Sequence, residues 1–136
     1  TLTDLLCKSG RPSEPLLRKW FLQLATGVAD LHAKRICHRD LKCDNIFCTS
    51  PKPEEADLLL GDLGLAVQLD SSDRKIREYA GTPATMAPEV LAKTVAYGLK
   101  CDVWSLACVY FQIATGQLRS QRTPRMSPSM CLSVCR

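Results

Sequence analysis

The chain has 136 residues, 46% hydrophobic and 24% charged, which is the balance of one ordinary globular domain and excludes a wholly disordered chain. Its 18 Lys and Arg against 14 Asp and Glu give +4, but the last acidic residue is Asp102, and Arg119, Arg122, Arg125 and Arg136 all follow Gly116. Residues 1–116 thus carry 14 charges of each sign, and the basic excess gives no footprint for nucleic acid on the body of the chain. The eight cysteines form no C-x-x-C, and His32 and His38 do not stand at zinc-finger spacing, so reduced thiols are expected rather than a structural zinc. No cleavable signal peptide is read at the start, and the expected compartment is cytoplasmic, with the nucleus as the other choice. The longest apolar stretch, Val103 to Ala114, is interrupted by Ser105 and Gln112 and falls short of the roughly 20 residues a spanning helix needs. No membrane partner is expected.

In chain order, Leu2, Leu5 and Leu6 predict a short helical turn closed by Gly10. Ser13 then stands as an N-cap, with Glu14 and Pro15 in the first turn, and Leu17, Trp20, Phe21, Leu24, Val28 and Leu31 recur on one face of a helix ending near Lys34. Short apolar pieces, Ile36–Cys37, Ile46–Cys48 and Leu58–Leu60, read as strands separated by charged or Pro-rich loops. Residues 65–86 have no sustained period and read as one long ordered loop, a length that favours function. A short helix is predicted from Pro88. A second strong helix spans Asp102 to Thr115, apolar nearly all round, with Gly116 as its stop. Residues 117–136, rich in Arg, Ser and Pro without a period, are expected to be a disordered basic tail.

The most specific string is H-R-D-L-K-C-D-N-I-F from His38 to Phe47, followed in order by Asp62-Leu63-Gly64, Gly81-Thr82-Pro83, Ala87-Pro88-Glu89 and Asp102-Val103-Trp104-Ser105. Together these resemble the catalytic loop, metal-binding triplet, activation-segment end and buried helix of eukaryotic protein kinases. Any one triplet alone carries almost nothing; their order carries the resemblance. It covers residues 1–116 as a partial kinase domain. The implied fold class is mainly α with short β strands, a partial kinase-like C-terminal lobe (α+β).

The resemblance implies ATP and Mg2+ as cofactors and a protein substrate as partner. Phosphoryl transfer asks a protein chiefly to position a hydroxyl and to neutralise charge. Asp40 resembles the carboxylate that orients the substrate hydroxyl, and Lys42 adds a point charge near the transferred group. Asn45 and Asp62 resemble the magnesium ligands. Lys42 with the G-T-P-A-T-M-A-P-E run resembles serine/threonine rather than tyrosine kinases, and Thr82 is then the hydroxyl that bonds Asp40 and Lys42. Arg39 in the family pairs with a phosphorylated activation-loop residue, for which Ser71 and Ser72 are the regulatory candidates. Structural roles are implied for His38, a packed residue stacking toward Leu63; for Asp102, accepting amides from the catalytic loop; and for Glu89, whose usual arginine partner lies in a region unmatched here. Cys43 beside Lys42 is weighed as a perturbed thiol against a plain core residue.

Asp62-Leu63-Gly64 with L-K-C-D-N-I-F resembles with-no-lysine kinases, whereas F-L-Q-L-A-T-G-V-A-D-L-H resembles NimA-related kinases. These residues contain no G-x-G-x-x-G loop and no V-A-I-K lysine, so only half of an ATP site is represented. Two readings follow: a segment of an ATP-dependent serine/threonine kinase, inactive as an isolated chain, or a catalytically dead truncated kinase acting as an interaction or regulatory fragment.

Overall fold

A computed structural model describes residues 1–70, 75–93 and 95–116. Its elements are α1 (Leu2–Ser9), α2 (Glu14–Ala33), β1 (Ile36–Cys37), β2 (Ile46–Cys48), β3 (Leu58–Leu60), β4 (Val67–Gln68), α3 (Pro88–Leu91) and α4 (Lys100–Thr115). Ser71, Ser72 and the tail expected over 117–136 lie outside the described residues.

α1 begins with a capping box: Thr1 Oγ1 accepts the Asp4 amide while the Asp4 carboxylate takes the Thr1 ammonium at 2.9 Å. Gly10, at φ 72°, ends it with a bond to the Leu6 carbonyl. α2 starts after Ser13 as its sequence predicts, but the Ser13 hydroxyl makes no capping bond. Pro15 in the first turn and the Glu14–Arg18 pair at 2.8 Å one turn apart favour the start instead.

Leu17, Trp20, Leu24 and Val28 bury the inner face of α2. Phe21, expected in that stripe, is 40% exposed and sits at its edge, its ring centroid 4.5 Å from that of Tyr110 on α4. The Trp20 indole N–H donates to the Ala56 carbonyl at 3.1 Å, satisfying its one polar atom inside the core. Gln23 accepts the Leu58 amide at 3.1 Å, so α2 grips the first residue of β3.

β2 and β3 pair antiparallel with Ile46 opposite Leu60, Phe47 opposite Leu59 and Cys48 opposite Leu58. The single unbroken loop expected over 65–86 is corrected: Val67–Gln68 forms β4 and pairs antiparallel with β1, and Ile76 exchanges both backbone bonds with Tyr97. Two-residue pairings carry no detectable alternation, which is why periodicity misses them. α4 begins at Lys100, two residues before the predicted start, and closes on Gly116 at φ 69°. Its apolar surface is not buried all round: Val109 and Ile113 are fully buried and Trp104, Tyr110 and Phe111 half-buried, while Val103 is 55% exposed.

The buried side chains fall into two clusters. One joins α1, α2, Leu41, Ile46 and the C-terminal half of α4; the other joins Cys37, Leu69, Ile76, Met86, Val90, Tyr97 and Cys101. Residues 38–40 connect Cys37 in one cluster to Leu41 in the other, so the segment carrying the catalytic candidates is anchored at both ends in packed apolar interior.

Candidate active site

The loop from His38 to Asn45 is held from below by α4. Asp102, fully buried, accepts the His38 amide at 2.8 Å and the Arg39 amide at 2.9 Å on its two carboxylate oxygens. His32 Nε2, at the end of α2, lies 2.9 Å from the same carboxylate. A buried charge with this many partners is satisfied, and it fixes two consecutive amides of the loop. Arg39 adopts φ 68°, which turns the chain sharply just before Asp40.

His38 is fully buried, and its Nε2 lies 2.9 Å from the Gly61 carbonyl, immediately before Asp62. That polar bond to Gly61 ties the two loops together, and Leu63, toward which stacking is expected from sequence, is 52% exposed. The Gly61 amide in turn donates to the Asn45 carbonyl at 2.9 Å, continuing the β2–β3 ladder to the edge of the site.

Asp40 is only 7% exposed and lies at the centre of a polar cluster. Thr82 Oγ1 donates to Asp40 Oδ1 at 2.6 Å, Lys42 Nζ lies 2.9 Å from Oδ2, and Asn45 Nδ2 donates to Oδ2 at 3.0 Å and to the Asp40 carbonyl at 2.9 Å. Lys42 also donates to Thr82 Oγ1 at 2.9 Å, closing a triangle. Burial works to raise the Asp40 pKa, but the hydrogen bonds from Thr82 and Lys42 and the Lys42 charge outweigh it, so the carboxylate stays below its ordinary 3.8. Asp40 is therefore ionised at neutral pH.

Thr82 reaches Asp40 because the activation segment passes against the catalytic loop. Gly81, at φ 113°, leaves no room for a side chain: a Cβ there would collide with the Arg39 carbonyl oxygen. The glycine serves the close approach as much as the backbone angle.

Asp62 follows β3 at φ 56° and is exposed, its Oδ1 accepting the Gly64 amide at 3.2 Å. The β2–β3 register sets Leu60 opposite Ile46, and the Gly61 amide bonds the Asn45 carbonyl, so Asp62 is the next residue beyond the partner of Asn45. Because the Asn45 amide nitrogen is committed to Asp40, the oxygen is the end with capacity for a cation. One neutral oxygen and one carboxylate fit a hard cation such as magnesium.

The remaining candidates separate from this centre. Glu89 is half-buried and makes no ion pair among the described residues. Cys43 is buried, donates to Gln112 at 3.3 Å, and its thiol is pushed up to about 12 by burial, so it is a core residue and not a nucleophile. Cys37, Cys101 and Asp102 converge as potential metal ligands, but the two thiols meet each other at 3.5 Å. That contact, with burial behind it, pushes the Cys37 thiol well up, and the carboxylate is already taken by loop amides.

Sequence reading passed over Glu78 and His32. Glu78 stands three residues before Gly81 and takes Arg39 at 3.0 Å; its one local signal is an acid closing a short basic run, Arg74 to Arg77. His32 reaches Asp102 across 70 positions, and no local pattern announces such a contact.

The sequence profile described as the protein kinase domain matches residues 1–130, and the chain belongs to the protein kinase family. It is 43% identical over 101 residues, 74% of its length, to serine/threonine-protein kinase Nek3 of Oryza sativa subsp. japonica, and covers 16% of that protein. It is 34% identical over 124 residues, 91% of its length, to serine/threonine-protein kinase PLK2 of Mus musculus, covering 17% of it. The chain thus spans about a sixth of the curated relatives it matches. The family generally uses ATP and Mg2+.

Proposed function

We propose that the protein carrying this chain transfers the γ-phosphoryl group of ATP to serine or threonine hydroxyls of protein substrates, and that these residues supply the catalytic loop, the magnesium ligands and the activation segment. The observation that carries the reading is the Asp40–Lys42–Thr82 triangle, an ionised carboxylate and an ammonium locked together by one hydroxyl. In that arrangement Asp40 accepts the hydrogen bond of an incoming hydroxyl and orients its lone pair toward the phosphorus. Lys42 keeps positive charge beside the acceptor oxygen. Thr82 holds the substrate-facing end of the activation segment against the base. Asn45 and Asp62 would hold magnesium, which supplies charge neutralisation of the phosphate oxygens when bound.

The test has two arms. In the full-length polypeptide carrying this chain, Asp40→Asn lowers kcat for radiolabel transfer to a generic serine/threonine substrate by about 10²- to 10⁴-fold with KM for ATP little changed. Unaltered turnover in that variant would sink the reading. In the 136-residue chain, titration with Mg2+ and ATP while following Tm separates a nucleotide-binding segment from a noncatalytic interaction fragment. A saturable rise that Asp62→Ala abolishes supports the first; no rise supports the second.

A further inference from the structure

The Arg39 guanidinium is buried, 6% exposed at the side chain, and among the described residues it meets the Leu65 carbonyl, the Glu78 carboxylate and the Tyr97 hydroxyl. Its Nε donates to the Leu65 carbonyl at 2.6 Å, just past Asp62, and its Nη1 donates to Glu78 Oε2 at 3.0 Å. Glu78 is itself held: its carbonyl accepts the Tyr97 hydroxyl at 2.6 Å, and its neighbour Ile76 is bonded to Tyr97 through both backbone groups. One guanidinium therefore ties the catalytic loop, the residues after Asp62 and the activation segment into a single strap beside Asp40. Burial alone would depress the Arg39 charge, but hydrogen bonds to Tyr97 and Glu78 outweigh it and keep the group firmly cationic.

We propose that Glu78 is a positioning residue for phosphoryl transfer, its fixed carboxylate supplying at Arg39 the anion that would otherwise come from covalent phosphorylation of the activation segment. The inference rests on the kinase reading above. A glutamate carries one charge where a phosphate carries roughly two, so the strap is weaker than a phosphorylated one but permanent. Glu78 is 75% exposed, and an exposed carboxylate contributes little to global stability, so its effect is local geometry at Asp40. Ser71 and Ser72 are then dispensable for assembling the site.

Two measurements test this. Hydrogen exchange on the 136-residue chain is expected to show amides of the Leu65–Val67 and Ile76–Glu78 segments exchanging about tenfold faster in Glu78→Gln, with Glu78→Asp close to the parent and Tm nearly unmoved. Unchanged exchange in Glu78→Gln overturns the proposal. In the full-length polypeptide, serine/threonine phosphatase treatment is expected to leave the rate of phosphoryl transfer intact, while Glu78→Gln lowers kcat roughly tenfold at unchanged KM for ATP and Glu78→Asp restores most of it. Loss of activity on phosphatase treatment, with Glu78→Gln equal to the parent, also overturns it. If exchange responds but the untreated protein transfers no phosphate, the kinase reading fails, and with it the catalytic role of Glu78, leaving only a structural strap.

Discussion

Asp40 and Asp62 are both carboxylates on tight turns, yet the chain treats them in opposite ways. Asp40 is 7% exposed and receives bonds from Thr82, Lys42 and Asn45, whereas Asp62 is exposed and, among the described residues, its carboxylate caps only the Gly64 amide two residues on. The same division runs through the surroundings. Beneath Asp40 lie the buried Asp102 and His38; close to Asp62 in sequence stand Leu59, Leu63 and Leu65 at 55%, 52% and 40% exposure, with Leu22 on α2 at 67%. A groove lined by Leu22, Gly27, Leu31, Leu60 and Leu63 runs along this open face. The contrast teaches that the half of the site around Asp40, proposed to position substrate, is organised by the chain's own hydrogen bonds, while the half around Asp62, proposed to bind metal, presents a polar side chain on an apolar surface of the kind that packs against other protein.

The sharpest way to break the organised half is Asp102→Ala. It leaves the buried amides of His38 and Arg39 without acceptors, and urea unfolding should show a loss of about 3 kcal/mol. Gly81→Ala comes next. Strain at φ 113° and the collision with the Arg39 carbonyl together should cost roughly 2 kcal/mol and push Thr82 away from Asp40, visible as loss of the Thr82–Asp40 coupling by NMR.

Thr82→Val has a smaller effect on stability, about 1 kcal/mol, but a directional effect on titration. Because the Asp40 pKa lies below its ordinary 3.8 in the folded chain, its stabilising contribution is complete above about pH 4 to 5 and fades as pH falls through the folded value. Removing the hydroxyl should move the carbon-13 titration midpoint of Asp40 upward and narrow that window; an unmoved midpoint would mean that Lys42 and Asn45 set it without Thr82. The open half should respond least. Leu63→Asp is expected to change unfolding free energy by no more than about 0.5 kcal/mol while lowering hydrophobic-dye binding and self-association.

The legibility of the molecule in its sequence follows the same line. β2 and β3 lie where their apolar triplets predict them, and α1, α2 and α4 follow their periodicity to within two residues, because each buries a local stripe. β4 was invisible: Val67 and Gln68 are strand only because β1 lies opposite them. The motif order located Asp40, Lys42, Asn45 and Thr82 but gave no sign of the Arg39–Glu78 pair; Ser71 and Ser72, the regulatory candidates, lie outside the described residues. A salt bridge across 39 positions has no period and no local composition, so no reading of neighbours could find it.

What the sequence determined by itself was membership of a catalytic family and the helices and paired strands that carry its motifs, since those depend on residue type and short spacing. Tertiary structure alone decided which charges meet. Asp102 beneath His38 and Arg39, His38 against Gly61 and Arg39 between Leu65 and Glu78 are long-range contacts. Their energies come from burial and from hydrogen-bond geometry that exist only once the two apolar clusters have closed around the loop.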